Sequence, residues 1–321
     1  MNSQYLNRYS SKVILLSLSL VKGMGYFSIR KIYERVNPLD ILLNISQYDI
    51  ENIFHNLKIK NSSELAKLFF VNKAKLYSNA EKLLINLYNR NIKFILEDDI
   101  DFPRLLLKIP DRPYWLFVEG NVRLLNRERC VAVVGSRNPT EKGMHTAYAI
   151  SKQLVQHKFI IVSGLAEGID EVAHYAALDY DGFGIGVLGH GVNYVFPAKT
   201  ANIRKSLSNR NGAIITEFFP NDPYSKRSFV WRDRLQSGLS EVIIPVQGTL
   251  TSGTFHTIRY AEQQKRKVIG VFKPKLEIVP QNDILGYIKK QNYPIYNISR
   301  SMKKFIADLE KYYDITLFEN N

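Results

Sequence analysis

The sequence predicts an α/β fold, a parallel-sheet core preceded by a small helical domain. Three observations carry this. Short apolar, β-rich runs alternate with helical patterns over residues 129–273, which is the signature of βαβ units. Several of those runs stop at Gly or Ser, after which a helix-like pattern begins. Residues 1–97 repeat apolar side chains at helical spacing instead.

The composition supports a folded, basic protein. The 321 residues are enough for one large domain with one or two small ones, and 45% hydrophobic residues suffice for a full core. The 44 Lys and Arg outnumber 30 Asp and Glu, a formal net charge of +14. That excess points to a polyanionic partner, with nucleic acid ahead of an anionic membrane surface. Cys130 is the single cysteine, so no disulfide forms within the chain, as in a reducing compartment. No His or Asp motif accompanies it, and it reads as a buried structural thiol. The apolar run Val13–Val21 is far shorter than the roughly 20 residues that span a bilayer. It also lacks a cleavage signature. The expectation is a cytoplasmic protein with no membrane contact.

Helical patterns are expected over Val13–Val21, Phe27–Val36, Ile50–Leu57, Leu65–Val71 and Ala80–Leu87. Between the first two, Gly23-Met24-Gly25 resembles the turn of a helix-hairpin-helix, which can present backbone N–H groups to a DNA phosphate. The same turn is common without any ligand, so DNA contact by this domain stays open. Residues 1–97 hold 14 basic and 7 acidic residues, a net of +7. Residues 98–128 read as a connector, broken by Pro103, Pro110 and Pro113, whose run Tyr114–Gly120 docks on the core as a strand.

In the core, strands are expected at Cys130–Val134, Phe159–Val162, Gly184–Leu188, Ala213–Thr216, Glu241–Val246 and Lys267–Phe272. Helices are expected at Gly143–Gln156, Glu171–Leu178, Thr200–Leu207, Val230–Leu239 and Thr254–Gln264. Right-handed crossovers then put every strand-end loop on one side. Residues 274–321 are Pro-broken, then helical from about Ile298 to Tyr313, with 7 basic against 6 acidic residues. That balance suits packing or a dimer contact better than a nucleic-acid arm.

The strand-end loops are the candidate site. Gly135-Ser136-Arg137 supplies N–H groups, a hydroxyl and a guanidinium suited to phosphate. Ser163-Gly164 and the turn through Gly168 lead into a helix N-terminus. Gly189-His190-Gly191 permits close backbone approach, and Ser252-Gly253-Thr254 opens another helix. Neither the Walker spacing nor G-x-G-x-x-G is present, which argues against an ordinary nucleotide loop or dinucleotide site. Asp170 and His174 share one helix face, and with no nucleophile motif beside them they read as loop-bracing groups rather than a general base pair. Arg232 and Arg234 flank Asp233, so that one Arg reaches ligand while the other braces Asp233 or a loop. Lys199, Arg204, Lys205, Lys226 and Arg227 add charge on neighbouring loops. Interleaved rings such as Tyr194, Phe196, Tyr224 and Phe229 offer stacking surfaces for bases. No His or Cys cluster has metal-ligand spacing.

Taken together, these motifs resemble the DNA-processing protein A family, also called DprA or Smf. The carriers are Asp101-Phe102-Pro103, the Pro113–Gly120 run, Gly135-Ser136-Arg137, the Ser163–Asp170 turn with His174, Val187-Leu188-Gly189, Phe196-Pro197 with Asn202, Thr216-Glu217, Arg232-Asp233-Arg234 with Gly238-Leu239-Ser240, and Ser252-Gly253-Thr254. The resemblance runs over roughly residues 101–300. It implies an extended Rossmann-like core behind a small helical domain of the SAM or helix-hairpin-helix kind. It also implies single-stranded DNA binding, a homodimer, and handing of the strand to the RecA recombinase in natural transformation, with no catalysis and no cofactor. Asp233 stands where the family usually has Asn, and Val230 where it usually has Pro. Residues 274–321 lack the pattern of the winged helix that many members carry, so a short form is expected.

The expected strand ligands are Gly135, Ser136, Arg137, Ser163, Gly164, Gly168, Lys199, Asn202, Arg204, Arg232, Arg234, Ser252 and Gly253, with Arg137 foremost. The expected organisation is a helical domain over 1–97, a connector over 98–128, a DNA-binding core over 129–273 and an extension over 274–321. The alternative is a nucleotide-sensing or nucleotide-cleaving protein on the same edge, using Asp170 or Glu217 chemically.

Overall fold

The computed structural model describes residues 3–210, 212–274 and 282–320. The first helices are α1 (Ser3–Ser19), α2 (Tyr26–Arg35), α3 (Ile41–Asn44), α4 (Gln47–Asn56) and the 28-residue α5 (Ser62–Asn89). Ser46 and Asp49 form a capping box that starts α4, satisfying N–H groups the helix cannot pair itself. Ile14, Leu18, Ile29, Ile32, Phe54 and Phe69 are buried between these helices. Where the sequence led us to expect helix to residue 97, the chain turns at Asn91, with φ +57°, and forms strand β1 (Ile92–Leu96). After the short α6 (Arg104–Leu107), β2 (Trp115–Gly120) pairs antiparallel with β1. Phe94 and Phe117 are register partners, and their rings stack at 4.4 Å. The core of the helical domain continues onto these strands through Phe94, Trp115 and Phe117.

The next elements alternate: β3 (Cys130–Val134), α7 (Glu141–Gln156), β4 (Ile160–Ser163), α8 (Ile169–Asp179), β5 (Gly184–Val187), α9 (Ala201–Asn209), β6 (Ala213–Thr216), α10 (Lys226–Gly238), β7 (Val242–Pro245), α11 (Gly253–Gln263) and β8 (Lys267–Val268). The eight-stranded sheet runs β1-β2-β6-β5-β4-β3-β7-β8. From β6 to β8 it is parallel, and β2 joins β6 antiparallel. Every residue of β3 is buried. Val131 and Val133 face α7, α8 and the C-terminal helix, while Ala132 and Val134 face α10 and α11. Helices on both faces explain why the core strands read as unbroken apolar runs.

The run Lys267–Phe272 is not one strand. After β8 it leaves the sheet, and β9 (Gly270–Phe272) pairs parallel with β10 (Ile295–Asn297), beyond α12 (Ile284–Lys290). Helix α13 (Ile298–Asn320) is interrupted at Ser301. It packs Phe305, Ile306, Leu309 and Tyr313 onto the sheet's second face, and the Tyr313 hydroxyl donates to the Cys130 carbonyl at 2.6 Å.

From β3 the chain moves outward through β4, β5 and β6, and α10 then carries it back to β7 on the other side of β3. The strand order therefore reverses between β3 and β7. In open α/β sheets, ligands bind outside the carboxyl ends of the strands at such a reversal.

Candidate nucleic-acid interface

The loops after β3 and β4 lock onto each other. The Ser136 N–H donates to the Gln247 carbonyl at 2.7 Å, and the Ile169 N–H to the Ser136 carbonyl at 3.1 Å. Gly168 has φ +84°, and a β-carbon there would lie 2.5 Å from the Ser136 carbonyl oxygen. Only glycine fits that crossing. At Gly164 a β-carbon would strike the Arg232 guanidinium, so a larger residue there would have to displace that side chain.

Arg137 projects from this knot. It is exposed, its guanidinium carbon lies 5.0 Å above the Phe229 ring, and it has no ion pair with the described residues. It stands between two hollows. The first, about 240 Å³, lies over the ends of β4 and β5 and is lined by Arg137, Gly164, Leu188, His190, Phe196 and Phe229 among others. Phe196 and Tyr224 stack at 4.0 Å on its aromatic side. The second, about 440 Å³, lies at the strand reversal and includes Ser136, Asp233, Gln236, Ser252 and Gly253.

Other expected ligands are placed differently. Arg234 is fully buried, and its guanidinium makes two 2.6 Å bonds to the two Glu217 carboxylate oxygens. This corrects the expectation that it meets a phosphate, because no part of it reaches solvent. Arg232 is also buried. It donates to the Gly164 carbonyl at 2.6 Å, to the Val187 carbonyl and, through Nε, to Asp233 Oδ1 at 3.2 Å. It therefore ties the ends of β4 and β5 to α10 while forming part of both walls. Arg204 clamps Glu119 at 2.7 Å and the carbonyls of Val192 and Tyr194, a brace rather than a free charge. The Ser163 hydroxyl donates to the Val133 carbonyl and is fully buried, so it too is corrected from ligand to brace. Lys199 is exposed and pairs with Glu171 at 3.2 Å, and Asn202 is exposed on α9 outside both hollows.

The Asp170 carboxylate accepts the Gly164 N–H at 3.0 Å. Burial raises its pKa, opposed by Arg232 and by hydrogen bonds from the Gly164 loop. His174 departs from the expected partnership. It is fully buried and does not bond Asp170; burial lowers its pKa to about 4 against an opposing hydrogen bond with the Ser163 backbone, so the ring is neutral. Asp233 is pushed up to about 7, chiefly by burial; Arg232 and Arg137 oppose this and Asp170 adds to it. Among the described residues no three His, Cys, Asp or Glu side chains converge as metal ligands, and no helix is long and apolar enough to cross a membrane.

Sequence reasoning missed Glu217 as the partner of Arg234, and Tyr26 as a further donor to the same carboxylate. Nothing local to either residue signals a pairing across the sheet edge.

The model for the DNA recombination-mediator protein A family matches residues 93–285. The chain belongs to that family. It is 32% identical to the DNA processing protein DprA of Bacillus subtilis over 195 residues, 61% of this chain and 65% of that protein. It is 38% identical to the Smf protein of Escherichia coli over 194 residues, 60% of this chain and 52% of that protein. The chain thus matches between about half and two thirds of the length of these relatives. The fold is shared with the DprA structure of Streptococcus pneumoniae (TM-score 0.64, 23% identity, covering 88% of this chain and 93% of the other). It is also shared with a DprA structure from Helicobacter pylori, described for its single-stranded DNA binding mode (TM-score 0.60, 24% identity, 69% and 97% covered). The eight-stranded, mostly parallel sheet behind a helical N-terminal region is the α/β architecture expected for the family.

Proposed function

We propose that the chain is a cytoplasmic single-stranded DNA-binding mediator that passes strands to a RecA-type recombinase, and that it turns nothing over. The observation that carries this is Arg137, an exposed guanidinium without an ion pair among the described residues, poised over Phe229 beside the stacked Phe196 and Tyr224. A cation beside ring faces suits a flexible strand, whose phosphates take the charge while bases stack on the rings. A duplex keeps its bases stacked inside and gains only the charge term. The exposed ammonium of Lys199, paired with Glu171 at the surface, extends the phosphate path, whereas the Ser136 and Gly164 N–H groups are held by the Gln247 carbonyl and by Asp170. Ser252 and Gly253 open on the second hollow.

The family membership and the DNA binding attributed to the Helicobacter pylori protein support this reading. The domain plan follows it: residues 129–273 grip the strand, 98–128 dock the helical domain, which ends with α5 before strand β1, and helices α12 and α13 of the extension pack on the core. Natural transformation is the process it fits. Cleavage chemistry is disfavoured because both Glu217 oxygens are held by Arg234 and Asp170 is bound to its own loop. Competition gel shifts with single- and double-stranded oligonucleotides test the reading. Preference for the single strand, with an affinity that falls with salt, is expected. Equal affinity for both would overturn it.

A further inference from the structure

The second hollow carries a feature that strand binding does not use. Helix α11 begins in its wall, and the Ser252 hydroxyl at the N-cap position donates to the Thr249 carbonyl at 2.6 Å instead of capping the helix. The Phe255 N–H of the first turn closes back on the Ser252 carbonyl at 3.1 Å, the Gly253 and Thr254 N–H groups have no carbonyl within the helix to reach, and this turn contains no acidic residue. Independently, Gln236 Oε1 and Thr254 Oγ1 have no hydrogen-bond partner, although their residues are only 2% and 4% exposed and both line the hollow. Buried polar atoms are nearly always paired, and an unpaired set along a cavity wall marks where a partner is missing.

We propose that this hollow, whose lining also includes Arg137 and Phe229, binds a phosphomonoester whose sugar or base carries hydrogen-bond donors, with the phosphate at the α11 wall. The phosphate takes the N-terminal turn of α11, where N–H groups and the helix dipole favour an anion, and the Thr254 hydroxyl donates to it. Across the hollow, Gln236 Oε1 and the Asp233 carboxylate accept from the ligand's donors. Asp233 Oδ2 lies 3.6 Å from the place a β-carbon on Gly253 would occupy, so the two sides are close. Asp170 also lines the hollow, and two carboxylates there oppose a bare anion. A ligand that brings donors is therefore preferred over inorganic phosphate. Such a phosphomonoester is either a free sugar or nucleoside phosphate or the 5′-phosphorylated end of a strand. The site rests on the fold alone, not on the strand-binding reading.

Calorimetry on the full chain with ribose 5-phosphate, adenosine 5′-monophosphate and inorganic phosphate, alongside titration with 5′-phosphorylated and 5′-hydroxyl oligothymidine, tests this. Gly253→Pro removes one N–H at a helix position that accepts proline. The preceding Ser252 is extended (φ −89°, ψ 165°), as a residue before proline requires. Thr254→Val and Gln236→Leu remove the unpaired groups and carry the test if the proline variant fails to fold. Binding of an organic phosphate, or tighter binding of the 5′-phosphorylated oligomer, is expected. It should weaken about tenfold or more in each variant, while Lys265→Ala, an exposed charge outside the hollow, changes it less than threefold. A preference between the oligomers assigns the site to strand ends; organic phosphate binding with equal oligomers assigns it to a free ligand. The proposal is overturned if no phosphomonoester binds at millimolar concentration and the oligomers are equal. It is equally overturned if folded variants bind as the parent does.

Discussion

Arg234 and Glu217 form a fully buried bidentate pair at the junction between the helical domain and the sheet. Both Glu217 oxygens receive a guanidinium nitrogen at 2.6 Å, the Tyr26 hydroxyl of α2 donates to one of them, and the Trp115 indole donates to the Glu217 carbonyl at 2.8 Å. Arg234 Nε reaches the Asp111 carbonyl of the connector at 2.9 Å. The helical domain, through Tyr26, and α10, through Arg234, are thereby tied at one carboxylate, and Arg234 also holds the connector.

Removing one partner leaves an uncompensated buried charge, which costs about 3–5 kcal/mol. Glu217→Ala and Arg234→Ala should therefore each lower unfolding free energy by roughly that amount in urea titrations. The apolar double variant Glu217→Leu/Arg234→Met should recover much of the loss and still bind strand. A folded double variant without strand affinity would restore Arg234 to the ligand list.

Arg137→Ala should weaken single-strand binding by about tenfold or more, the worth of a hydrogen bond to a charged group. Lys265→Ala, also the loss of one exposed charge, should change it less than twofold. Arg137→Lys should recover only part, because an ammonium lacks the planar fork and stacks poorly on Phe229. Equal losses from Arg137 and Lys265, measured by fluorescence anisotropy at fixed salt, would mean a diffuse electrostatic surface.

The strands of the core were legible because both faces of the sheet are covered, so runs such as Cys130–Val134 are apolar throughout. Strand β1 was not. Ile92–Leu96 follows α5 directly, and the break is a left-handed Asn91, a conformation that the sequence does not announce. Helix α10 begins at Lys226 rather than Val230 because Ser225 and Ser228 make a capping box, a signal present in the sequence but overlooked among the charges. The loops were correctly gathered on one edge, yet which cations face outward was not readable. Arg137, Arg204, Arg232 and Arg234 look alike in one dimension. What separates them is the set of carbonyls and carboxylates that the fold brings near each, such as Gly164 and Val187 for Arg232 and Glu217 for Arg234. Those partners lie 17 to 68 residues away.

Asp233 gives the interface a pH dependence with a definite sign. Its pKa, about 7 in the folded state, lies well above the ordinary 3.8. Well below the ordinary value of 3.8, both states hold the proton and nothing changes. As pH rises toward 7 the unfolded chain loses a proton that the folded one keeps, so this group's contribution to stability falls, and above about 7 it is level. Asp233→Asn removes the contribution and can still accept from Arg232 Nε. The variant should therefore gain on the parent in stability between pH 5 and 7.5, read as the difference between their unfolding curves. Asp222, at about 6, and His174, at about 4, titrate in both proteins and cancel in that difference. Ionised Asp233 faces Arg137, Arg232 and Asp170, and it lowers the local positive potential. Strand affinity should accordingly fall from pH 6 to 8 in the parent and stay nearly flat in the variant. A parallel decline in both would assign the pH dependence elsewhere.

Strand binding should be salt-dependent, length-dependent and dimeric. If the contacts neutralise Z phosphates, log K falls with log salt at about −0.7Z for single strands. The first hollow is small, about 240 Å³, and one protomer engages only a short stretch of strand. Two sites joined in a dimer make the second contact intramolecular and raise avidity without new chemistry. Affinity for oligothymidine should therefore rise sharply once the oligomer is long enough to reach both sites, instead of increasing smoothly with length. Light scattering should give the mass of two chains, and the protein should stimulate RecA-dependent strand pairing in the presence of single-strand binding protein. Phosphate contacts suit that task because they release as readily as they form, whereas a covalent intermediate would not. A strict monomer that still stimulates pairing would remove the avidity argument. Metal-dependent hydrolysis of DNA or nucleotide, lost in Asp170→Asn, would replace the mediator with an enzyme.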